Sequence, residues 1–208
     1  LMPLYKSIEV NSQTNVKIWQ ISEPLDFLMS CVELDDIAQK RLGKMKSCTH
    51  KRGFLSVRML LKVFGYKFCD LYYDHFGKPL LKDGRFISIT HSHNYAAVVV
   101  SDQKVGIDIE KQSPKISKIA SKFIGYESSY MDNEASNYIK KLTLIWCIKE
   151  SLYKLYSKSG ISFKRHFLVI PFGEKENSTT AWIKDGDNLK IFKALFFEFD
   201  GFGCALTI

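Results

Sequence analysis

A chain of 208 residues with 46% hydrophobic and 25% charged side chains has the make-up of a soluble globular protein, with apolar material for one large core or two smaller ones. No apolar run approaches the ~18 residues a membrane helix needs, so no membrane span is expected. The formal charge of +8 calls for an anionic partner, without choosing among nucleic acid, membrane surface, phosphorylated ligand and acidic protein.

In chain order, residues 16–21 (VKIWQI) alternate as an opening strand, and Ser22-Glu23-Pro24 starts a helical stretch with Leu25, Leu28 and Met29 on its apolar face. Residues 34–64 read as helical and strongly basic, with Lys40, Arg41, Lys44, Lys46, Lys51, Arg52, Arg58 and Lys62. There Phe54, Leu55, Met59, Leu60 and Val63 recur at the spacing of a core-facing stripe, and Gly65 ends the helix. Gly77-Lys78-Pro79 marks a turn, and residues 86–90 and 96–101 read as strands. Residues 101–104 turn the chain into a further strand, 105–110. A polar loop with Pro114 follows, then helices around 117–123, 128–133 and 137–156. Strands resume at 167–170, around Trp182, at 191–199 and at 203–208, with Asp-Gly pairs at 185–186 and 200–201 as turns. The order of helices and strands, repeated once, predicts an α+β chain of two similar halves joined near residue 102. The expected subdomains are 1–102 and 103–208, each an antiparallel sheet packed with helices.

Cys31, Cys48, Cys69, Cys147 and Cys204 are scattered and include no C-x-x-C pair. This argues against a disulfide framework or zinc ribbon and for a reducing, cytoplasmic setting. The opening LMPLYKSIEV lacks a basic segment followed by an apolar stretch, so no secretory leader is expected.

Two short stretches carry chemistry. In residues 105–110, VGIDIE, successive strand side chains face opposite ways, so Ile107 and Ile109 share one face and Asp108 and Glu110 the other. Carboxylates about 7 Å apart along a strand face suit a shared hard cation such as Mg²⁺, although alternation is also the ordinary signature of a half-buried strand. In residues 146–154, WCIKESLYK, Trp146, Glu150 and Lys154 lie at i, i+4 and i+8 along one helix face. The bland reading there is an ion pair worth about 0.3–0.5 kcal/mol beside a core tryptophan. The sharper one lets Glu150 join Asp108 and Glu110 as a third carboxylate, with Lys149 and Lys154 meeting phosphate oxygens.

Gly77-Lys78-Pro79, Ile89-Thr90-His91-Ser92, VGIDIE, Phe123-x-x-x-Glu127 and WCIKESLYK stand together in order and spacing, and over residues 50–161 the sequence resembles the 4′-phosphopantetheinyl transferases of the surfactin-synthetase-activating type. The resemblance implies a pseudo-twofold pair of α+β subdomains with coenzyme A bound in a cleft between them. It implies Asp108, Glu110 and Glu150 as Mg²⁺ ligands, Lys78 and Pro79 at the adenine, and Thr90 and His91 near the 3′-phosphate. Arg52 is the expected further phosphate contact, with Lys46 and Arg58 as rivals, and Lys149 and Lys154 are expected near the pyrophosphate. Thr90 stands where serine is common, and His93-Asn94 where glycine is frequent. His91 and His93 share a strand face, as a metal pair would, but no cysteine or third histidine lies nearby in sequence.

The implied reaction is attack by a carrier-protein serine on the β-phosphorus of coenzyme A, with 3′,5′-ADP leaving. Glu150, Lys154 and Asp108 are the expected catalytic residues, with Glu150 as general base, directly or through water, and Glu127 as an alternative. An acidic acyl or peptidyl carrier protein would suit the basic charge, and a single chain with two halves is expected to act as a monomer. Two other classes compete: a metal-dependent phosphodiesterase or nuclease using the same carboxylates, and a non-catalytic nucleic-acid-binding module. The second predicts steep salt dependence and indifference to Mg²⁺, and the aromatic residues do not form the stacking array that would support it.

Overall fold

Antiparallel pairing makes residues 4–20 a hairpin of two strands, β1 (Leu4–Asn11) and β2 (Thr14–Gln20). In the computed structural model, which describes residues 4–158 and 160–208, the chain divides into two compact units, Leu1–Lys104 and Val105–Ile208. Both are α+β, each with an antiparallel sheet and a long helix.

In the first unit, β1 and β2 are followed by helices α1 (Leu25–Ser30), α2 (Asp36–Lys44) and α3 (Cys48–Val63). The short strands β3 (Leu71–Tyr73) and β4 (Pro79–Leu81) pair with each other, and β5 (Phe86–Ser92) and β6 (Tyr95–Ser101) complete the main sheet in the order β1-β2-β6-β5. The stripe read from the sequence is the buried face of α3: Phe54, Leu55, Met59 and Leu60 pack into a core with Trp19, Ala96, Val98 and Val100. The single helical stretch expected over 34–64 is two helices. Asp35 caps α2, its carboxylate accepting the Ala38 amide at 2.7 Å, and extended backbone at Met45 and Ser47 separates α2 from α3. His93, with φ of 52°, lies in the hairpin turn from β5 to β6.

The second unit opens with β7 (Gly106–Lys111), continues through α4 (Ala120–Phe123), α5 (Tyr138–Tyr156) and α6 (Phe163–His166), and ends with β8 (Phe167–Val169), β9 (Ser178–Asp185), β10 (Asn188–Phe199) and β11 (Phe202–Thr207). Its sheet runs β7-β11-β10-β9-β8, antiparallel throughout. Asp200 and Gly201, both at positive φ, form the two-residue turn from β10 to β11, as the Asp-Gly pair predicts. Leu144, Ile145, Ile148 and Leu152 of α5 are buried with Phe167, Val169, Ala181, Ala194 and Ala205 of the sheet. The helix expected at 128–133 is instead a 3₁₀ turn, Tyr126–Ser129. No helix among the described residues is long and apolar enough to cross a membrane.

Candidate active site

The site grows from the meeting of β7 with α5. Gly106, Asp108 and Glu110 alternate along β7 with Ile107 and Ile109, and in register Asp108 lies opposite Ala205 and Glu110 opposite Gly203. A side chain on Gly203 would touch Leu144 and Thr143 of α5, and one on Gly106 would strike the Ser151 carbonyl. The face that carries both acids is therefore the one beneath α5.

From α5, Lys154 reaches down to this face. Its ammonium donates to Asp108 Oδ1 at 2.7 Å and to the Ile107 carbonyl at 3.0 Å. Asp108 is buried, while Glu110, Glu150 and Lys154 are half-buried. Burial pushes the Glu150 carboxyl up to about 7, the Asp108 and Glu110 charges push the same way, and Lys154 opposes them. The structure thus brings the three acids into one electrostatic neighbourhood although two elements supply them. Trp146, on the same helix face, packs its ring against Phe123 at 4.9 Å and Phe163 at 5.6 Å, centroid to centroid.

Three carboxylates offer an all-oxygen donor set, which fits a hard divalent cation. No group of three His, Cys, Asp or Glu side chains among the described residues is already drawn to metal-ligand spacing.

Lys149 departs from expectation. Its side chain is fully buried, and its ammonium pairs with Glu127 at 2.7 Å while donating to the carbonyls of Phe123 at 2.7 Å and Phe163 at 3.1 Å. With three acceptors on three donors, no proton remains to offer a pyrophosphate. Glu127, weighed as an alternative base, is equally buried: it accepts the Val169 amide at 2.8 Å and the Gly125 amide at 3.1 Å besides Lys149. Both are structural in this arrangement. In the sequence Glu127 and Lys149 stand in the separate segments Phe123-x-x-x-Glu127 and WCIKESLYK, and no spacing joins them as a pair.

In the first unit, α3 and β5 bring Arg52 and His91 to adjoining positions. Gly53, next to Arg52, faces the His91 ring so closely that a Cβ there would sit 2.8 Å from it, and the His50 ring lies 5.9 Å from that of His91. Arg52 Nη2 donates to the Ile21 carbonyl at 2.8 Å, and its buried Nε makes no hydrogen bond among the described residues. Of the rivals, Lys46 is exposed, whereas Arg58 is buried over the Phe54 ring, 3.4 Å from its centroid, and donates to the Phe54 carbonyl. Thr90 is buried and His91 exposed on β5. Lys78 and Pro79 are half-buried where the turn from Asp74 enters β4, the Asp74 carboxylate accepting the Lys78 amide at 2.9 Å. Burial, then the Lys104 charge, lowers the pKa of Lys78, and Asp74 opposes them.

Residues 104–204, which hold the three acids, Lys154 and the Lys149–Glu127 pair, match the family model of the 4′-phosphopantetheinyl transferase superfamily. This stretch of the chain is similar to that superfamily. The chain is 30% identical over 118 residues to enterobactin synthase component D of Salmonella typhi, a match covering 55% of this chain and 50% of that protein. It is 33% identical over 88 residues to the 4′-phosphopantetheinyl transferase gsp of Aneurinibacillus migulanus, covering 41% of this chain and 37% of that protein. The chain thus spans half or less of the length of these curated relatives. The acidic strand and the basic-acidic helix lie inside the matched region, whereas Arg52, Lys78, Pro79, Thr90 and His91 precede it.

Proposed function

We propose that this chain is a 4′-phosphopantetheinyl transferase that moves the phosphopantetheine group of coenzyme A onto a serine hydroxyl of an apo acyl or peptidyl carrier protein. The observation that carries the reading is the convergence of Asp108, Glu110, Glu150 and Lys154 where β7 meets α5, within the region matched to the superfamily.

Asp108, Glu110 and Glu150 would hold Mg²⁺, which supplies charge neutralisation for the pyrophosphate when bound. Burial raises the Glu150 carboxyl to about 7 in the metal-free protein; bound Mg²⁺ would favour its charged form, and it is assigned as general base, directly or through water. In the step proposed, the serine oxygen bonds to the β-phosphorus, the serine proton passes to Glu150, and the bond to the 3′,5′-ADP oxygen breaks with its electron pair leaving on ADP. Lys154, fixed by Asp108 and the Ile107 carbonyl, holds positive charge beside that chemistry. Arg52, Thr90 and His91 are assigned to the 3′-phosphate and Lys78 and Pro79 to the adenine, so residues 1–102 serve the nucleotide end and 103–208 the reacting end. The net charge of +8 favours encounter with an acidic carrier. The five free cysteines suit a cytoplasmic setting, and the chain is read as a monomer.

Mass spectrometry of an apo carrier protein incubated with the chain, coenzyme A and Mg²⁺ tests this. The expected result is a gain of one phosphopantetheine on one serine, abolished by Asp108→Ala or Glu150→Ala. Cleavage of a nucleic acid or other phosphodiester with the carrier unmodified would replace the proposal by a hydrolytic one.

A further inference from the structure

A strand glycine ordinarily weakens its sheet, so its presence asks for a reason. Gly106 does not lie among the glycines with positive φ, so its backbone does not require glycine. Space does. A Cβ at Gly106 would lie 1.8 Å from the Ser151 carbonyl oxygen, 2.8 Å from its carbon and 3.1 Å from the Leu155 amide nitrogen. All three are backbone atoms of α5, which no rotamer change moves aside. Any other residue would drive strand and helix apart by more than about 1 Å.

The contact sits beside the carboxylates. Asp108 is two residues along β7 from Gly106 on the same face, and Glu150 immediately precedes Ser151 on α5. Among the described residues no other glycine of the second unit comes this close to α5 backbone: the nearest atoms to Gly203, opposite Glu110, are side-chain atoms of Leu144 and Thr143 at 3.2 and 3.4 Å.

We infer that Gly106 is a positioning residue: by letting β7 touch the backbone of α5, it sets the span between Asp108 and Glu150 and so the size of cation they share. The inference rests on the proposed assignment of these acids to a divalent cation. Mg²⁺ demands oxygen ligands at about 2.0–2.1 Å in a near-ideal octahedron, whereas Ca²⁺ accepts about 2.3–2.6 Å and looser geometry. A side chain at 106 therefore penalises the smaller ion more.

Calorimetric titration of the full chain with Mg²⁺ and with Ca²⁺, no substrate present, tests this alongside thermal melting of the metal-free protein. Gly106→Ala is expected to lose about 10–100-fold in Mg²⁺ affinity, the range seen when supports of a metal site are altered, and distinctly less for Ca²⁺. Unchanged Mg²⁺ affinity in the folded variant, or equal loss for both ions, overturns the inference. If Gly106→Ala does not fold, the wild type decides: a span set by contact of strand with helix backbone is expected to hold Mg²⁺ more tightly than Ca²⁺, and a wild type that binds Ca²⁺ as tightly as Mg²⁺, or more tightly, overturns the inference in that case. Failure of the underlying assignment looks different, because the wild type would then bind no Mg²⁺ or Asp108→Asn would bind it as the wild type does.

Discussion

Lys149 and Glu127 meet at 2.7 Å with neither side chain reaching solvent, one residue before the candidate base Glu150. Glu127 also accepts the Gly125 and Val169 amides, and Lys149 also holds the Phe123 and Phe163 carbonyls, so this pair ties the 3₁₀ turn, the start of α6 and the edge strand β8 to α5. Taking two charges out of water is costly, and only saturated hydrogen bonding makes it tolerable. Burial lowers the Lys149 pKa while Glu127 raises it, and the geometry is that of an ion pair. The residue that looked like a ligand-binding cation thus holds in place the helix on which the chemistry is mounted.

Removing one partner should therefore cost far more than removing both. Lys149→Met alone, or Glu127→Leu alone, is expected to destabilise the protein by about 3–5 kcal/mol, because an uncompensated buried charge remains. The double variant should recover much of that loss. Urea unfolding of the three variants against wild type measures it. A Lys149→Met protein of wild-type stability that has lost coenzyme A affinity would return Lys149 to the binding site.

Two neighbouring arginines on α3 should separate cleanly. Arg58 is buried against the Phe54 ring, so Arg58→Ala is expected to cost about 2 kcal/mol or more of stability. Arg52 is half-buried next to Gly53, which faces the His91 ring, and Arg52→Ala is expected to raise KM for coenzyme A about 10–100-fold, the worth of one charged hydrogen bond. Steady-state kinetics with coenzyme A and with its 3′-dephospho form checks the assignment. The preference for the 3′-phosphate should shrink in Arg52→Ala, and an undiminished preference would move the phosphate contact elsewhere.

Lys154 should act on turnover rather than on binding. Its ammonium is held by Asp108 and the Ile107 carbonyl, so Lys154→Met leaves α5 intact while removing that ammonium from the site. A fall in kcat of about 10²–10³-fold with little change in coenzyme A KM is expected, as for loss of a preorganised charge at a transition state. Equal loss in Lys154→Arg would point to shape rather than charge.

What could be read from the sequence was whatever obeyed a clean period. VGIDIE alternates, and its acids do share a face; Phe54, Leu55, Met59 and Leu60 repeat at helical spacing, and they are buried. Strand β1 escaped because its side chains are mostly exposed on both faces; pairing with β2, not burial, makes it a strand. Strands β3 and β4 are three residues each, too short for any alternation to register. The helix expected at 128–133 gave way because the Glu127 carboxylate turns inward to Lys149 and to two amides, fixing a tight turn there. Charged residues are almost never fully buried unless paired, so reading Lys149 as a cation open to phosphate oxygens followed the general rule; its partner lies on another element that no spacing reveals. Gly106 could be seen but not interpreted, since only the approach of Ser151 shows why glycine stands there.

Glu150 makes the metal-free protein sensitive to pH in a defined direction. Its folded pKa, about 7, lies above the ordinary value of 4.5, first through burial and then through the Asp108 and Glu110 charges. The folded state therefore holds the proton more tightly than the unfolded chain does. The stabilisation this gives is complete below pH 4.5 and is lost as pH rises towards and through 7. In the presence of a chelator, urea midpoints should fall across that window, and Glu150→Gln, which cannot ionise, should flatten this component of the profile. Mg²⁺ should restore stability most at the alkaline end, where all three acids are charged and the cation finds its full donor set. A Glu150→Gln profile that runs parallel to wild type, with the same response to Mg²⁺, would detach this glutamate from both the charge cluster and the cation.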